Sequence, residues 1–287
     1  MMKSKCNNGL RTLAVVTISL AIIFTFTMFG LYGGIAMAQN EEPPYRTDFQ
    51  LENCEFLTTG SNRYFNLEPG YELVLEGEED GETIRVVITV LDETESIFLP
   101  DIGEIQTRVV EEREWVDDEL IEVSRNLFAR CAGTNNIFYF GEDVDICEDG
   151  LEPDNGGYLC DGEEPDHEGA WRAGVDDAMP GLIMPGLFIV GDRYFQEIAP
   201  GVAMDRAENV AIGLIVTTPA GTFEECVKVL ETTPLEPGEE SEKIYCPEVG
   251  LVVDDEVELV EPPAGFKAPD GNGGGCFIDI ASSSLGL

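Results

Sequence analysis

From residue 71 onward apolar and polar positions alternate. Ile84, Val86, Ile88 and Val90 stand at every second place, which puts them on one face of a strand. Residues 71–77 and 83–91 are β-branched and apolar, and Glu78-Glu79-Asp80-Gly81 joins them with an Asp-Gly hairpin signal. Residues 105–116 and 119–129 form a second candidate hairpin about Asp117-Asp118. Its alternation is weaker, and the second arm also reads as a short helix. Further strands are expected at 137–140, 171–175, 187–190, 194–198, 209–217, 223–230, 243–246 and 251–260, punctuated by turns such as Pro219-Ala220-Gly221.

Only the N-terminus holds a long apolar run, and no other stretch keeps a 3.6-residue period with caps. Short turns between neighbouring strands predict antiparallel meanders. The expectation is an all-β, mainly antiparallel fold over residues 63–261: a single β-sandwich, an open barrel or a strongly curved sheet. Residues 39–62 read as a lead-in segment, and 262–287 as a Gly/Pro linker and tail. Residues 174–186, with Pro180 and Pro185 around an apolar centre, read as a loop over one end of the sheet, either a flap over a ligand or a buried plug. There is no internal repeat.

Lys3, Lys5 and Arg11 precede an uncharged run over 12–36, and Ala36-Met37-Ala38 supplies an A-x-A site before Gln39. Residues 1–38 therefore read as a secretory signal peptide. The run is also long enough to span a bilayer, so an uncleaved anchor is the alternative. No cysteine lies near the cut, which argues against a lipoprotein signal. The destination is the Gram-negative periplasm, the outer surface or the extracellular space.

Of eight cysteines, cleavage removes Cys6, leaving three disulfides and one odd thiol in an oxidising compartment. Cys226 and Cys246 are equidistant from Glu236 in a turn-like run, so they face each other across a hairpin. Cys147 and Cys160 flank the turn-forming residues 152–157, and Cys54 with Cys131 follows by elimination. The alternative is buried free thiols. Zinc is disfavoured by the absence of C-x-x-C and a single histidine.

Charge narrows the partners. Asp and Glu number 57 against 16 Lys and Arg, a formal −41. Losing three bases and no acid with the signal takes the mature chain to −44. Such a chain lacks the cations that nucleic acid or an anionic membrane surface requires. The acids are densest over 142–168, which hold twelve of them and no Lys or Arg. Asp143, Asp145, Glu148 and Asp149 are candidate Ca²⁺ ligands, since Asp143-Val144-Asp145 begins like a calcium loop. Cys147 and Glu148 break that pattern, and the alternative is a solvated excursion pinned by Cys147–Cys160. Calcium is the only cofactor suggested.

His167, the single histidine, stands between Asp166 and Glu168, whose charges favour its protonated form. No G-x-S-x-G accompanies it. An Asp/Glu pair for glycoside hydrolysis is open among so many acids, but none stands out. Trp115, Trp171, Tyr139, Phe140, Tyr194 and Phe195 could form a sugar- or lipid-binding platform, although strand spacing favours core.

Residues 64–70, 139–144, 168–176, 179–181, 190–197, 219–223, 233–237 and 247–252 resemble segments of an uncharacterised family of secreted bacterial β-rich proteins. That resemblance implies secretion and β structure and carries no activity. Gly273-Gly274-Gly275-Cys276-Phe277-Ile278 resembles the CFI-box tails that follow glycine linkers on exported bacterial proteins. It implies a sorting or surface-attachment role with Cys276 as the reactive group. The chain departs from the usual tail at Asp279, and no apolar helix or basic cluster follows.

The expectation is an exported, non-enzymatic β-rich domain with a binding or structural role at the cell surface or in the periplasm. A concave sheet face could hold an apolar ligand. The alternatives are a Ca²⁺-dependent adhesion or matrix protein and a secreted hydrolase using an Asp/Glu pair.

Overall fold

A computed structural model describes residues 43–264. The segment expected to be a signal peptide, residues 1–38, and the CFI-like tail with Cys276 lie outside the described residues. After a 3-10 turn at Leu51–Asn53 and β1 (Phe56–Leu57), a first meander runs β2 (Glu72–Glu79), β3 (Glu82–Leu99), β4 (Gly103–Val116), β5 (Glu119–Cys131) and β6 (Ile137–Ile146). A separate hairpin follows, β7 (Leu151–Asp154) with β8 (Gly157–Cys160), and then β9 (Trp171–Arg172) and β10 (Met179–Met184). Next come β11 (Arg193–Phe195) and β12 (Glu197–Ile198). A second meander comprises β13 (Arg206–Thr218), β14 (Gly221–Thr232), β15 (Glu240–Cys246), β16 (Gly250–Asp254) and β17 (Val257–Leu259).

The expected all-β, antiparallel architecture is what the chain adopts, in its curved-sheet form. β17 pairs with β2 through Leu259↔Leu75, so the two meanders fuse into one sheet. Its path runs β11-β13-β14-β15-β16-β17-β2-β3-β4-β5-β6-β10-β12. The two ends of that path, β11 and β12, are separated in sequence by Gln196 alone. One short piece of chain therefore borders β13 on one side and β10 on the other. The sheet curls on itself without closing as a continuous barrel.

Local chemistry explains the hairpins. Type I′ turns need left-handed backbone at both central residues, and Asp, Asn and Gly tolerate it best. Asp80 and Gly81 have φ of 51° and 92°, Asp117 and Asp118 49° and 69°, Asn155 and Gly156 42° and 97°. The second arm of the 105–129 hairpin, β5, is strand and not helix, since β4 and β6 satisfy its backbone on both sides.

Other expectations need correction. Residues 174–186 are not simply a loop: they contain β10, which pairs with β6 through Gly181↔Tyr139 and Leu182↔Phe138. Leu182 and Met184 are fully buried there. The proline signal misleads because Pro180 sits near the start of its strand, where little pairing is lost. Residues 187–190 do not form a strand; Leu187, Ile189 and Val190 are exposed on an irregular segment.

One core fills much of the curl, with Leu67, Leu75, Phe138, Phe140, Tyr194 and Leu259 among its most buried members. Phe56 packs edge-on against Phe138 and Phe140 at 6.2 and 5.3 Å. The lead-in segment is part of this body: Phe49, Leu51 and Phe56 pack on the core. All three expected cysteine pairs are disulfide-bonded. Their Cα–Cα distances are 5.2 Å for Cys54–Cys131, 5.4 Å for Cys147–Cys160 and 4.2 Å for Cys226–Cys246. The first ties the lead-in to the end of β5 across 77 residues, a closure worth about 3–5 kcal/mol. Three such bonds mark a chain that folds in an oxidising, exported environment.

Candidate functional site

The residues that the sequence singles out as metal ligands are not brought together. Asp143 bonds Arg172 at 2.6 Å, and Asp145 lies 3.1 Å from His167 Nδ1. Glu148 and Asp149 are exposed in the turn that leads to β7. Among the described residues no three His, Cys, Asp or Glu side chains converge as a metal centre. The 142–168 segment is ordered by the β7–β8 hairpin and by backbone bonds between Ile146 and Asp166. It packs a small core of Val123, Cys147 and Leu151 beside the main one.

His167 is held toward its charged form, as expected, but not chiefly by its chain neighbours. Its Nδ1 donates to the Val144 carbonyl at 2.6 Å, and that bond is the leading cause. Burial opposes it, and Asp145 and Glu164 add smaller contributions in its favour. Of the aromatic set, Tyr139, Phe140, Trp171 and Tyr194 are buried, which makes them core and not an exposed platform. Trp115 and Phe195 are half-buried.

The site that the fold does build lies inside the curl. A cavity of about 640 Å³ is lined by side chains from β2 to β6, from β10 and from β14 to β16, and by the 196–205 segment. Leu73, Ile88, Val90, Val110, Phe128 and Leu251 give it apolar walls. Eight acidic side chains also line it against one base, Lys243, so the lumen carries a strong negative imbalance.

Strand register places these acids. Cross-strand partners share a face, and β4 and β5 pair through Val110↔Asn126, Glu112↔Ser124 and Glu114↔Glu122. Glu142 on β6 stands opposite Asn126, which accepts the Tyr139 hydroxyl at 2.5 Å. Across the lumen, Lys243 on β15 pairs with Asp254 on β16, with Nζ–Oδ2 at 2.9 Å, and lies 3.6 Å from Glu231. Gln196 Nε2 donates to Glu231 at 2.6 Å, and the backbone N–H of Asp205 donates to Glu197 at 2.6 Å.

Burial dominates the electrostatics, since a low-dielectric wall disfavours the charged form of an acid. It pushes Glu112 up to about 8, against the pull of Lys243 and with help from Asp254 and Glu122. Burial and then Glu122 push Glu114 to about 7. Glu142 reaches about 7 through burial, although the polar hydroxyls of Tyr139 and Ser124 nearby oppose the rise. Glu197, Asp205 and Glu231 are raised for the same leading reason. Burial works against the Lys243 charge, but Asp254 and Glu231 outweigh it and hold the ammonium well above its ordinary range.

These lumen residues escaped the sequence reading. The available signal was the weakened alternation of 105–116, where Glu112 and Glu114 continue the face that Val110 begins. No protein-family model, curated protein or solved structure matches the chain. The molecule is thus defined by its own geometry: a disulfide-tied, curved antiparallel sheet enclosing an acid-lined cavity.

Proposed function

We propose that the protein is an exported, non-enzymatic binding protein whose ligand site is the lumen of its curved sheet. One observation carries the reading: a cavity of about 640 Å³ bounded by nearly every long strand. That volume falls within the range of about 300–1,000 Å³ typical of small-molecule sites. Its apolar walls offer the contact area and its carboxyls the polar anchors. Delivery by the N-terminal signal and retention at the outer surface or in the periplasm through Cys276 complete the proposal.

Titration with N-phenyl-1-naphthylamine, a neutral apolar fluorophore, tests the site. Saturable one-site binding is expected, and Ile88→Trp, which projects into the lumen, should abolish it while the fold persists by circular dichroism. Binding undiminished by Ile88→Trp and by a second filling variant, Ser124→Phe, would overturn the reading. For Cys276, intact-mass analysis of wild type and Cys276→Ser from the native host should show a modification on the wild type alone. Identical masses and identical cell fractionation would remove the attachment role.

The hydrolase reading draws on the same carboxyls, because burial raises Glu112 to about 8 and Glu142 to about 7, the range in which a carboxyl can serve as a general acid near neutrality. Turnover of a ligand, lost in Glu142→Gln, would favour it over simple binding.

A further inference from the structure

The lumen is polar along its axis. On β4 the lining passes from Val110 to Glu112, and on β5 from Phe128 through Asn126 to Glu122. On β6 it passes from Tyr139 to Glu142, and on β15 from Tyr245 to Lys243. The antiparallel register makes all four gradients run the same way. One end of the cavity is therefore aromatic and aliphatic, and the other is charged.

No basic side chain of the lumen is left to pair with the carboxyls at that end. Lys243 is already committed to Asp254 and Glu231. Glu197 is 3% exposed, lines the cavity and receives a single backbone N–H. Among the described residues neither Glu197 nor Glu112 has a basic group at ion-pair distance. A carboxylate taken out of water without a cation is costly; Glu197 is buried, Glu112 is half-buried, and both line the lumen. The geometry does not suit a small metal ion, since among the described residues no three such side chains converge on one point. The missing charge has to be spread over a larger body.

We infer that the lumen takes an amphiphilic organic cation, its apolar body against Val110 and Phe128 and its ammonium among Glu112, Glu142 and Glu197. This rests on the lumen being a ligand site, and it names the ligand's class. The raised proton affinity of these carboxyls agrees with it, because protons occupy the place that the ligand's charge would fill.

Displacement of bound N-phenyl-1-naphthylamine from the full mature chain tests the inference with three competitors that share a ten-carbon tail: decyltrimethylammonium, 1-decanol and decanoate. The ammonium should displace the fluorophore at about tenfold lower concentration than the alcohol, one charge contact being worth about 1.4 kcal/mol, and decanoate should be weakest. Glu112→Gln and Glu197→Gln should each narrow the ammonium preference by about threefold or more. Glu148→Gln, on the outer acidic turn, should leave it unchanged. Equal potency of the three, or a preference for decanoate, sinks the cation inference while the lumen reading stands. A preference retained in both lumen variants but lost in Glu148→Gln also sinks it, because the cation would then be held outside. Failure of the fluorophore and all three competitors to bind the folded chain removes the lumen reading itself.

Discussion

A carboxyl such as Glu112, half-buried in the wall of the lumen and without a basic partner of its own, keeps a proton in the folded chain up to about pH 8. The unfolded chain releases that proton near the ordinary 4.5. Between those two values the native state binds more protons, so stability must fall as pH rises. Glu114 and Glu142 act in the same direction up to about 7. Melting temperature is therefore expected to decline from about pH 5 to about pH 8. In the Glu112→Gln variant the decline should be shallower, with a Tm a few degrees above wild type at the upper pH and equal to it at the lower. Lys243 has the opposite role. Lys243→Met strips Asp254 and Glu231 of their shared cation, and urea denaturation near pH 8 should show a loss of about 3 kcal/mol. The loss should shrink near pH 5, where the carboxyls are closer to neutral.

At the scale of elements, the joint where the sheet's ends meet is open to disruption by a single change. A Cβ on Gly181 would stand 2.3 Å from the Gln196 carbonyl oxygen, closer than any side chain can sit. Gly181→Ala should part β10 from the 193–198 segment and cost about 2–3 kcal/mol in equilibrium unfolding, with faster amide exchange at Met179 and Ile198. How far the elements were readable follows from which signals are local. The Asp80-Gly81 turn and the facing positions of Cys226 and Cys246 depend on nearby residues, and both are found where the sequence puts them. β10 depends on a distant partner, β6, that covers its backbone, and its prolines and missing alternation hide it. The lumen acids are obscured in the same way. Glu112 and Glu122 read as solvated strand positions until the curl of the sheet turns their face inward.

For the whole molecule, net charge and topology pull apart. The sheet wraps an acid-lined space, and its outer surface is acidic as well, with 57 acids against 16 bases over the chain. Like charge at such density opposes compaction and is relieved by screening. Melting temperature should rise steadily between about 0.05 and about 1 M NaCl, where a charge-balanced protein of this size would barely respond. The acidic 142–168 segment, the most conspicuous feature of the sequence, is tied into its own small core and ion pairs. The site is instead attributed to the enclosed acids. A crystal structure of the mature chain grown with decyltrimethylammonium bromide tests it most directly. One molecule is expected in the lumen, its tail against Val110 and Phe128 and its nitrogen between Glu112 and Glu197. A lumen filled by its own side chains, or ammonium bound only on the outer surface, would contradict it.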